Sequence, residues 1–525
     1  MKQNLSYFCT PEVEQGFGHI ETKHSQTTKD PLITGLVYDS RKVEPGNLYF
    51  ALYGLHNNGH NFIDSAIEKG AVVIVHQDDL SSYNPDITYI KVKNSRFAMS
   101  PIADAFYSSP SKHLLIIGVT GTEGKSTTVY LIYQLLKLAG KKAGFISTVQ
   151  YDNGLGEMWN PEHQTTPEAL RIHQFLKEAQ DNGVEYVVLE SSSHGLSEKT
   201  NRLGDVVFDV GVMTNVAHEH LEFHGTWEKY RDDKTNLFHA LDKFSHEKKQ
   251  HSETIAVPTF GVVNADDPSS THFANATKHI TYTYSTHGTD ADIILQKIEG
   301  SMTGNWYEVF IRKNKEMVTV RDKLPGTFNA GNVLASLLTV SQLISKPIIE
   351  LVPLVLYLKP VRGRMNTIQR GQDFEVMVDY AHTPSSFATI FPPIKERMQK
   401  KGGRIISVFG SAGERDTKKR SEQGRIAGEY SDIIVLTDED PRSEIPIDIL
   451  EQIAEGIPDW KKEENLFLIP DRPTAIRKAF LLAKSGDLVL LLGKGHENSI
   501  IYAHKTIPFD EITEAEKALA EMGFC

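Results

Sequence analysis

The sequence predicts an α/β protein of several domains built on parallel sheets. Three observations predict it. From Leu114 onward, apolar runs of strand length alternate with amphipathic helical runs, the pattern of strands crossing over through helices. A glycine-rich turn, Gly118–Thr128, lies between one such strand and one such helix. The 525 residues are too many for one ordinary core, so two to four domains are expected.

The elements follow in chain order. Up to about Ser111, short β-rich runs such as Asn47–Leu52 and Ala71–His76 alternate with turn-rich stretches, which predicts a small α/β domain. Ser108–Ser111 reads as a linker. Strands are then expected at Leu114–Val119, Ala143–Ser147, Glu185–Glu190, Phe208–Thr214 and Thr259–Asn264. Helices fall between them at Ser126–Leu138, Pro167–Ala179 and Thr226–Leu241. The polar stretch Lys243–Glu253 reads as an exposed loop. A helix-rich segment ends in Pro and Gly near Leu358–Arg364. A third α/β unit then begins, with strands at Phe374–Asp379, Arg404–Phe409, Asp432–Thr437 and Asp487–Leu492. The expected domains are 1–111, 112–358 and 359–525.

Composition removes other classes. Lys and Arg number 56 against 68 Asp and Glu, for a net charge of −12, which disfavours non-specific nucleic-acid binding. With 40% hydrophobic and 24% charged residues, disorder, collagen and a membrane bundle are excluded. No apolar run reaches the roughly 20 residues that span a bilayer, and the N-terminus lacks a secretory pattern. Cys9 and Cys525 are the only cysteines, too few for a disulfide framework. A cytoplasmic protein without membrane insertion is the expectation.

Three clusters carry chemistry. In GVTGTEGKSTT, the glycines Gly118, Gly121 and Gly124 let backbone N–H groups close around phosphate, Lys125 adds a charge and Ser126 can ligate Mg²⁺. The spacing is GxxGxxGKS rather than GxxxxGK[ST]. A glycine-rich turn with a solvated lysine is the bland alternative, and the flanking strand and helix favour phosphate. ESSSH, Glu190–His194, ends a strand on the side where open α/β sheets bind ligands, so Glu190 can share that Mg²⁺ or simply face solvent. NVAHEHLEFHG gathers His218, Glu219, His220, Glu222 and His224 after another strand, a set suited to a divalent ion or to an ordinary polar loop. Zinc fits the composition, but Mg²⁺ or Mn²⁺ is more economical beside a phosphate turn. Lys234 reads from its own position as a solvated helix lysine.

In this order, these clusters resemble the Mur ligases, and among them the tripeptide-forming branch. The resemblance runs from DSRKVEPGNLYFALYGLHNNGHNFI through GVTGTEGKST, HQTTPEAL, ESSSHGL and NVAHEHLEFHGT. It continues through VNADD, GTFNAGN, DYAHTP, FGSAGERDTKKR and LLGKGHE. It implies three domains: a uridine-nucleotide domain, a central ATPase domain with a P-loop-like turn, and a C-terminal Rossmann-like domain for the incoming amino acid. It also implies a monomeric ATP- and Mg²⁺-dependent ligase of peptidoglycan synthesis. Such an enzyme phosphorylates the D-Glu side-chain carboxylate of UDP-MurNAc-L-Ala-D-Glu and lets a diamino acid's amine attack the acyl phosphate. Closure of the third domain on the second is expected.

Site residues follow by motif position. Gly121, Thr122, Gly124, Lys125, Ser126, Thr127, Asn264 and Asn329 are expected on ATP. Ser40, Thr165, Thr166, Ser192 and Arg202 are expected on the UDP-substrate. Arg415, Glu439, Asp440, Pro441, Arg442, Gly493 and Glu497 are expected around the amino acid. Lys125, Glu190, His220 and Lys234 carry catalysis. Ser126, Glu190, His220 and Lys234 hold Mg²⁺, with Lys234 carbamylated, which turns an amine into a carboxylate.

Departures from the family pattern mark this chain. Glu123 stands where the ATP turn usually has Asn, and a carboxylate there is unfavourable unless it points away or meets a metal. Glu219 and Glu222 replace Asp, and the step from His194 to Arg202 is about two residues longer than expected. EDPR at Glu439–Arg442 replaces DNPR. Arg442 retains a partner for a distal carboxylate, whereas Asp440 favours a distal ammonium. Lysine or ornithine is thus placed ahead of meso-diaminopimelate. The alternatives are a folylpolyglutamate-type ligase, opposed by the Ser40 motif, and a non-catalytic ATP-binding partner, opposed by Lys125, Glu190, His220 and Lys234 together.

Overall fold

Continuous apolar runs become strands covered on both faces. Leu115–Thr120 and Val210–Met213 are buried at every position, as parallel strands flanked by helices must be. The structure, a computed structural model, describes residues 2–9, 20–24, 30–54, 57–162, 164–217, 221–250, 253–301 and 304–524. Two compact units divide it, Met1–Lys359 and Pro360–Cys525.

The first unit holds two main sheets. The N-terminal one has five strands, in the order Ile20–His24, Thr88–Val92, Val73–His76, Asn47–Phe50, Gly35–Val37. All its pairs are parallel except Ile20–His24 with Thr88–Val92. The second sheet has eleven strands. Its parallel centre runs Ala143–Ile146, Tyr186–Glu190, Leu115–Thr120, Val210–Met213, Phe260–Asn264, Thr281–Ser285. Leu115–Thr120 comes first in the chain yet lies in the middle, with later strands added to either side. Its carboxyl end is the point where strand order reverses, the place such sheets bind ligands. One edge is extended by the antiparallel strands Gln150–Asp152 and Met158–Trp159, the other by the meander Ile293–Ser301, Gly304–Ile311, Glu316–Arg321. In Gly304–Ile311 burial alternates residue by residue, so one face of this meander is covered and the other is less so.

The second unit is a six-stranded sheet in the order Asn366–Ile368, Glu375–Asp379, Leu488–Leu492, Ile405–Phe409, Ile433–Leu436, Leu466–Leu468, parallel except for its first pair. The helix Pro384–Lys401 starts with a capping box between Thr383 and Ser386, which satisfies orphan N–H groups at its first turn. The fully buried pair Arg472–Glu511 spans 2.8 Å, and Arg472 also donates to the carbonyls of Asp438 and Leu492. Removing one partner of such a pair leaves an uncompensated buried charge.

Two expectations are corrected. The stretch read as an exposed loop contains the strand Glu247–Gln250, paired with Glu253–Ala256. Within it Lys248 is fully buried, 2.8 Å from Asp209. A lysine on the covered side of a strand breaks the apolar signal that marks strands. Ser108–Ser111 is no loose linker either. Ser111 is buried, its hydroxyl accepts from the Val207 amide, and its carbonyl accepts from Lys248.

Candidate active site

The glycine-rich turn joins strand Leu115–Thr120 to helix Lys125–Leu138. Gly124 is the residue before the helix, at φ +80°, and offers no side-chain cap. The first N–H groups of the helix therefore have no side-chain cap, and their positive end favours an anion. Only glycine takes that conformation cheaply, and a Cβ there would lie 2.6 Å from Asn332 Oδ1. At Gly121 a Cβ would lie 1.9 Å from Thr214 Oγ1. Lys125 Nζ donates to the Thr122 carbonyl at 2.7 Å. Thr127 is half-buried in the first helical turn. The backbone of Glu123 is held by Thr214 Oγ1 at 2.6 Å and Asn215 Oδ1 at 2.9 Å, while the residue itself is exposed. The extra carboxylate thus meets solvent, the arrangement that relieves its conflict with phosphate.

Beside the turn, buried Glu190 ends its strand. Oε1 accepts from Ser126 Oγ at 2.8 Å, and Oε2 accepts from the amide and hydroxyl of Thr148 at 2.7 and 3.1 Å. Its carbonyl accepts from Thr166 Oγ1 at 2.8 Å, and Thr166 Oγ1 accepts in turn from Ser192 N and Oγ, both at 3.0 Å. Arg202 reaches this group despite its long spacing. It donates to the Thr166 carbonyl at 2.8 Å and to Glu168 at 3.0 Å, and Glu168 also pairs with Arg96. Thr165 is half-buried next to Thr166. Thr148, Glu168 and Arg96 have no distinguishing spacing and are found only in the structure.

Lys234 corrects the reading of a solvated lysine. It is buried on helix Trp227–Ala240, sharing a face with Tyr230 and Leu237. Nζ donates to the Gly121 carbonyl at 2.6 Å and lies 4.5 Å from the Tyr230 ring centroid. The signal was there: positions 230, 234, 237 and 241 form one helical stripe, and Lys234 interrupts an otherwise apolar one. His220 and its neighbours His218 and Glu219 lie outside the described residues. Among the described residues, no three His, Cys, Asp or Glu side chains are grouped to hold a metal.

The two asparagines brace the turn from its far side. Asn264 donates to the Thr214 carbonyl at 2.9 Å. Asn329 opens helix Asn329–Leu343 and accepts from Asn332, which accepts from Thr128 at 3.1 Å. In the N-terminal sheet region, Ser40 opens a short 3₁₀ turn capped by Asp39, and its carbonyl accepts from Lys69 at 3.0 Å. Two residues earlier, burial and the nearby Glu162 and Glu168 push the Tyr38 phenol up to about 12.

In the second unit, buried Lys494 sits between Asp440 Oδ1 at 2.9 Å and Glu497 Oε2 at 2.5 Å. Asp440 Oδ1 also accepts the Ile501 amide at 3.0 Å. Glu439 is buried, and its Oε2 has no hydrogen-bond partner. Burial pushes its carboxyl up to about 7, with Glu497 adding to the rise and Lys419, Lys494 and Arg472 opposing it. Gly493, at φ +100°, gives Glu439 its room: a Cβ would stand 2.9 Å from Oε2. Pro441 is buried, and its carbonyl lies close against Gly413. Arg442 adopts φ +54° and donates its amide to Ile501 at 2.9 Å. Such a backbone is uncommon outside glycine and costs about 1 kcal/mol or more, so surrounding structure must hold it. Arg415 is exposed on the loop before helix Lys418–Tyr430.

A glycine-rich turn at the sheet's reversal point, with a hydroxyl–carboxylate pair on one side and a buried lysine on the other, is a geometry suited to an α/β enzyme that handles nucleotide phosphates. Three family models match in chain order: the Mur ligase family catalytic domain over 32–107, the Mur ligase middle domain over 119–340 and the Mur ligase glutamate ligase domain over 363–495. The UDP-N-acetylmuramyl-tripeptide synthetase of Treponema denticola is 51% identical over 510 residues, covering 93% of this chain and 94% of that one. Its Treponema pallidum counterpart is 46% identical over 511 residues, covering 93% of each. A solved UDP-N-acetylmuramoyl-L-alanyl-D-glutamate–2,6-diaminopimelate ligase superposes with a TM-score of 0.61 at 25% identity over the whole of both chains. The chain belongs to the Mur ligase family and has its three-domain fold; members are ATP-dependent amide-bond ligases.

Proposed function

We propose that this chain adds a diamino acid to UDP-MurNAc-L-Ala-D-Glu, consuming ATP, as a step of peptidoglycan precursor synthesis carried out by a cytoplasmic monomer. The observation that carries this reading is one run of residues tied in sequence by side-chain and main-chain hydrogen bonds. It leads from Ser126 in the phosphate turn through Glu190 and Thr166 to Ser192 and Arg202. Such a run sets a phosphate donor beside an acceptor carboxylate, which is what acyl-phosphate formation requires. In this reading the domains are 1–111 for the uridine nucleotide, 112–358 for ATP and 359–525 for the amino acid.

Lys125 and the open helix end offset phosphate charge once Lys125 leaves the Thr122 carbonyl. Arg202 and Ser192 orient the acceptor. The donors around Glu190 fit Mg²⁺, because a hydroxyl and a carboxylate already lie 2.8 Å apart. Ser126, Glu190, His220 and carbamylated Lys234 would hold the ions. Carbamylation is what the fit requires, since an unmodified ammonium at Lys234 would repel a cation. The ions would supply charge neutralisation during phosphoryl transfer.

For the incoming amino acid, lysine or ornithine stays ahead of meso-diaminopimelate. Asp440 presents only acceptors where an Asn would present an amide donor. Lys494 offsets part of its charge, but Glu439 keeps a buried carboxylate oxygen without a partner, suited to an ammonium. Arg442 argues the other way. The test is phosphate release with ATP, Mg²⁺ and UDP-MurNAc-L-Ala-D-Glu, comparing L-lysine, L-ornithine and meso-diaminopimelate, with product masses. One productive amino acid with the matching tripeptide mass is the expected result. Silence with all three, despite ATP binding, would point to another acceptor.

A further inference from the structure

One buried histidine, His224 of the cluster read from sequence as suited to a divalent ion, instead joins two protein segments of the site. His224 Nδ1 lies 2.7 Å from Asp233 Oδ2, and Nε2 lies 3.1 Å from Ser193 Oγ. The side chains of His224 and Asp233 are fully shielded from solvent. A carboxylate only accepts, so the ring donates from Nδ1.

Each end of the ring leads to a different part of the site. Ser193 opens the short helix Ser193–Leu196, capped by Ser192, and Ser192 is tied to Thr166. Asp233 directly precedes Lys234 on helix Trp227–Ala240. The Tyr230 ring packs against His224 at 5.1 Å and lies under the Lys234 ammonium, and its hydroxyl meets Thr122 Oγ1 at 3.0 Å. His224 therefore bridges the turn that carries Ser192 and the helix that carries Lys234, with Tyr230 continuing to the phosphate turn.

Two other readings of this trio are weaker. A Ser–His–Asp constellation is the geometry of a nucleophile, but Ser193 is 1% exposed and no substrate carbonyl could reach it. A plain buried polar pair would serve stability alone, and the test below separates it.

We propose that His224, held by Asp233, is a positioning residue that fixes the Lys234 helix against the Ser192–Ser193 turn during amide formation. This rests on the ligase reading above. A displacement of about 1 Å at such a centre costs on the order of a hundredfold in rate. The test compares full-length wild type with Ser193→Ala, Asp233→Asn, their double variant, and His224→Ala and His224→Asn. The readouts are kcat, KM for ATP and for UDP-MurNAc-L-Ala-D-Glu, calorimetric binding of that substrate without ATP, and melting temperature.

Each single change is expected to lower kcat about tenfold or more, with both KM values and substrate binding changed far less. The double variant should be little worse than the weaker single one, because both substitutions act through one ring. His224→Asn, which keeps a donor near the Nδ1 position, should recover part of the rate lost in His224→Ala. Additive losses in the double variant, an unchanged kcat, or losses that follow only the folded fraction would overturn the proposal. If the His224 variants do not fold, the Ser193 and Asp233 pair decides the matter alone. A silent wild type would overturn the ligase reading itself, a distinguishable failure.

Discussion

The glycine-rich turn and the EDPR segment handle buried charge in opposite ways. Around the turn, the charged groups have partners within the protein: Lys125 on a carbonyl, Lys234 on a carbonyl and a ring, Glu190 on three donors. Around the segment, Lys494 is shared by two carboxylates, but Glu439 Oε2 and Arg442 Nε lack partners. On the proposed reading, the satisfied side would hold the nucleotide that the family shares, and the open side would select the amino acid by what that ligand supplies.

Breaking the satisfied side should cost most. Lys125→Ala is expected to reduce substrate-dependent phosphate release by about 10³-fold or more, and near-normal turnover would refute the phosphate assignment. Lys234→Ala should be nearly as inactive and partly restored by added formate or acetate. Full activity without rescue would exclude a carbamylated role.

The open side should respond by selectivity. Gly493→Ala forces a Cβ toward Glu439 Oε2 and strains a backbone at φ +100°. It should raise KM for the amino acid about tenfold or more and leave KM for ATP nearly unchanged. Asp440→Asn restores an amide donor and removes one of two carboxylates on Lys494. It should move the ratio of kcat/KM toward meso-diaminopimelate by about tenfold, whereas an unchanged ratio would show that this position tolerates Asp without selecting.

The smallest effect is on stability. The Glu439 carboxyl is raised from 4.5 to about 7, so the folded chain keeps a proton that the unfolded chain has released. Stability should therefore fall as pH rises from about 4.5 through about 7, by roughly 1–3 kcal/mol. Glu439→Gln should flatten that slope in urea melts, and an identical slope would show that other groups set it.

How much of this was legible in the sequence depended on whether a residue's signal was local. The phosphate turn was, because glycines, lysine and serine stand together between a strand and a helix. Glu190 was legible as a strand end but not as a buried group, since Thr148 and Thr166 arrive from other segments. Lys234 needed the family resemblance, although its place on the Tyr230–Leu237 face offered a clue. Lys248 falls in the stretch that polarity alone assigns to a loop, whereas its partner Asp209 falls in an expected strand, so their pairing is not visible in the sequence. Asp440 was identified as the informative substitution, but its partner Lys494 comes from 54 residues away and could not be paired with it from spacing. The open oxygen of Glu439 is a property of packing and has no sequence signature.

The protonation of Glu439 near neutrality has a consequence for heats of binding. On the proposed reading, a cationic amino acid entering beside that carboxyl would favour its ionised form, and binding near pH 7 would expel a fraction of a proton into solution. The apparent binding enthalpy will then differ between phosphate and Tris by that fraction of their difference in ionisation enthalpy. The part of that proton release which Glu439→Gln abolishes would report on this one side chain.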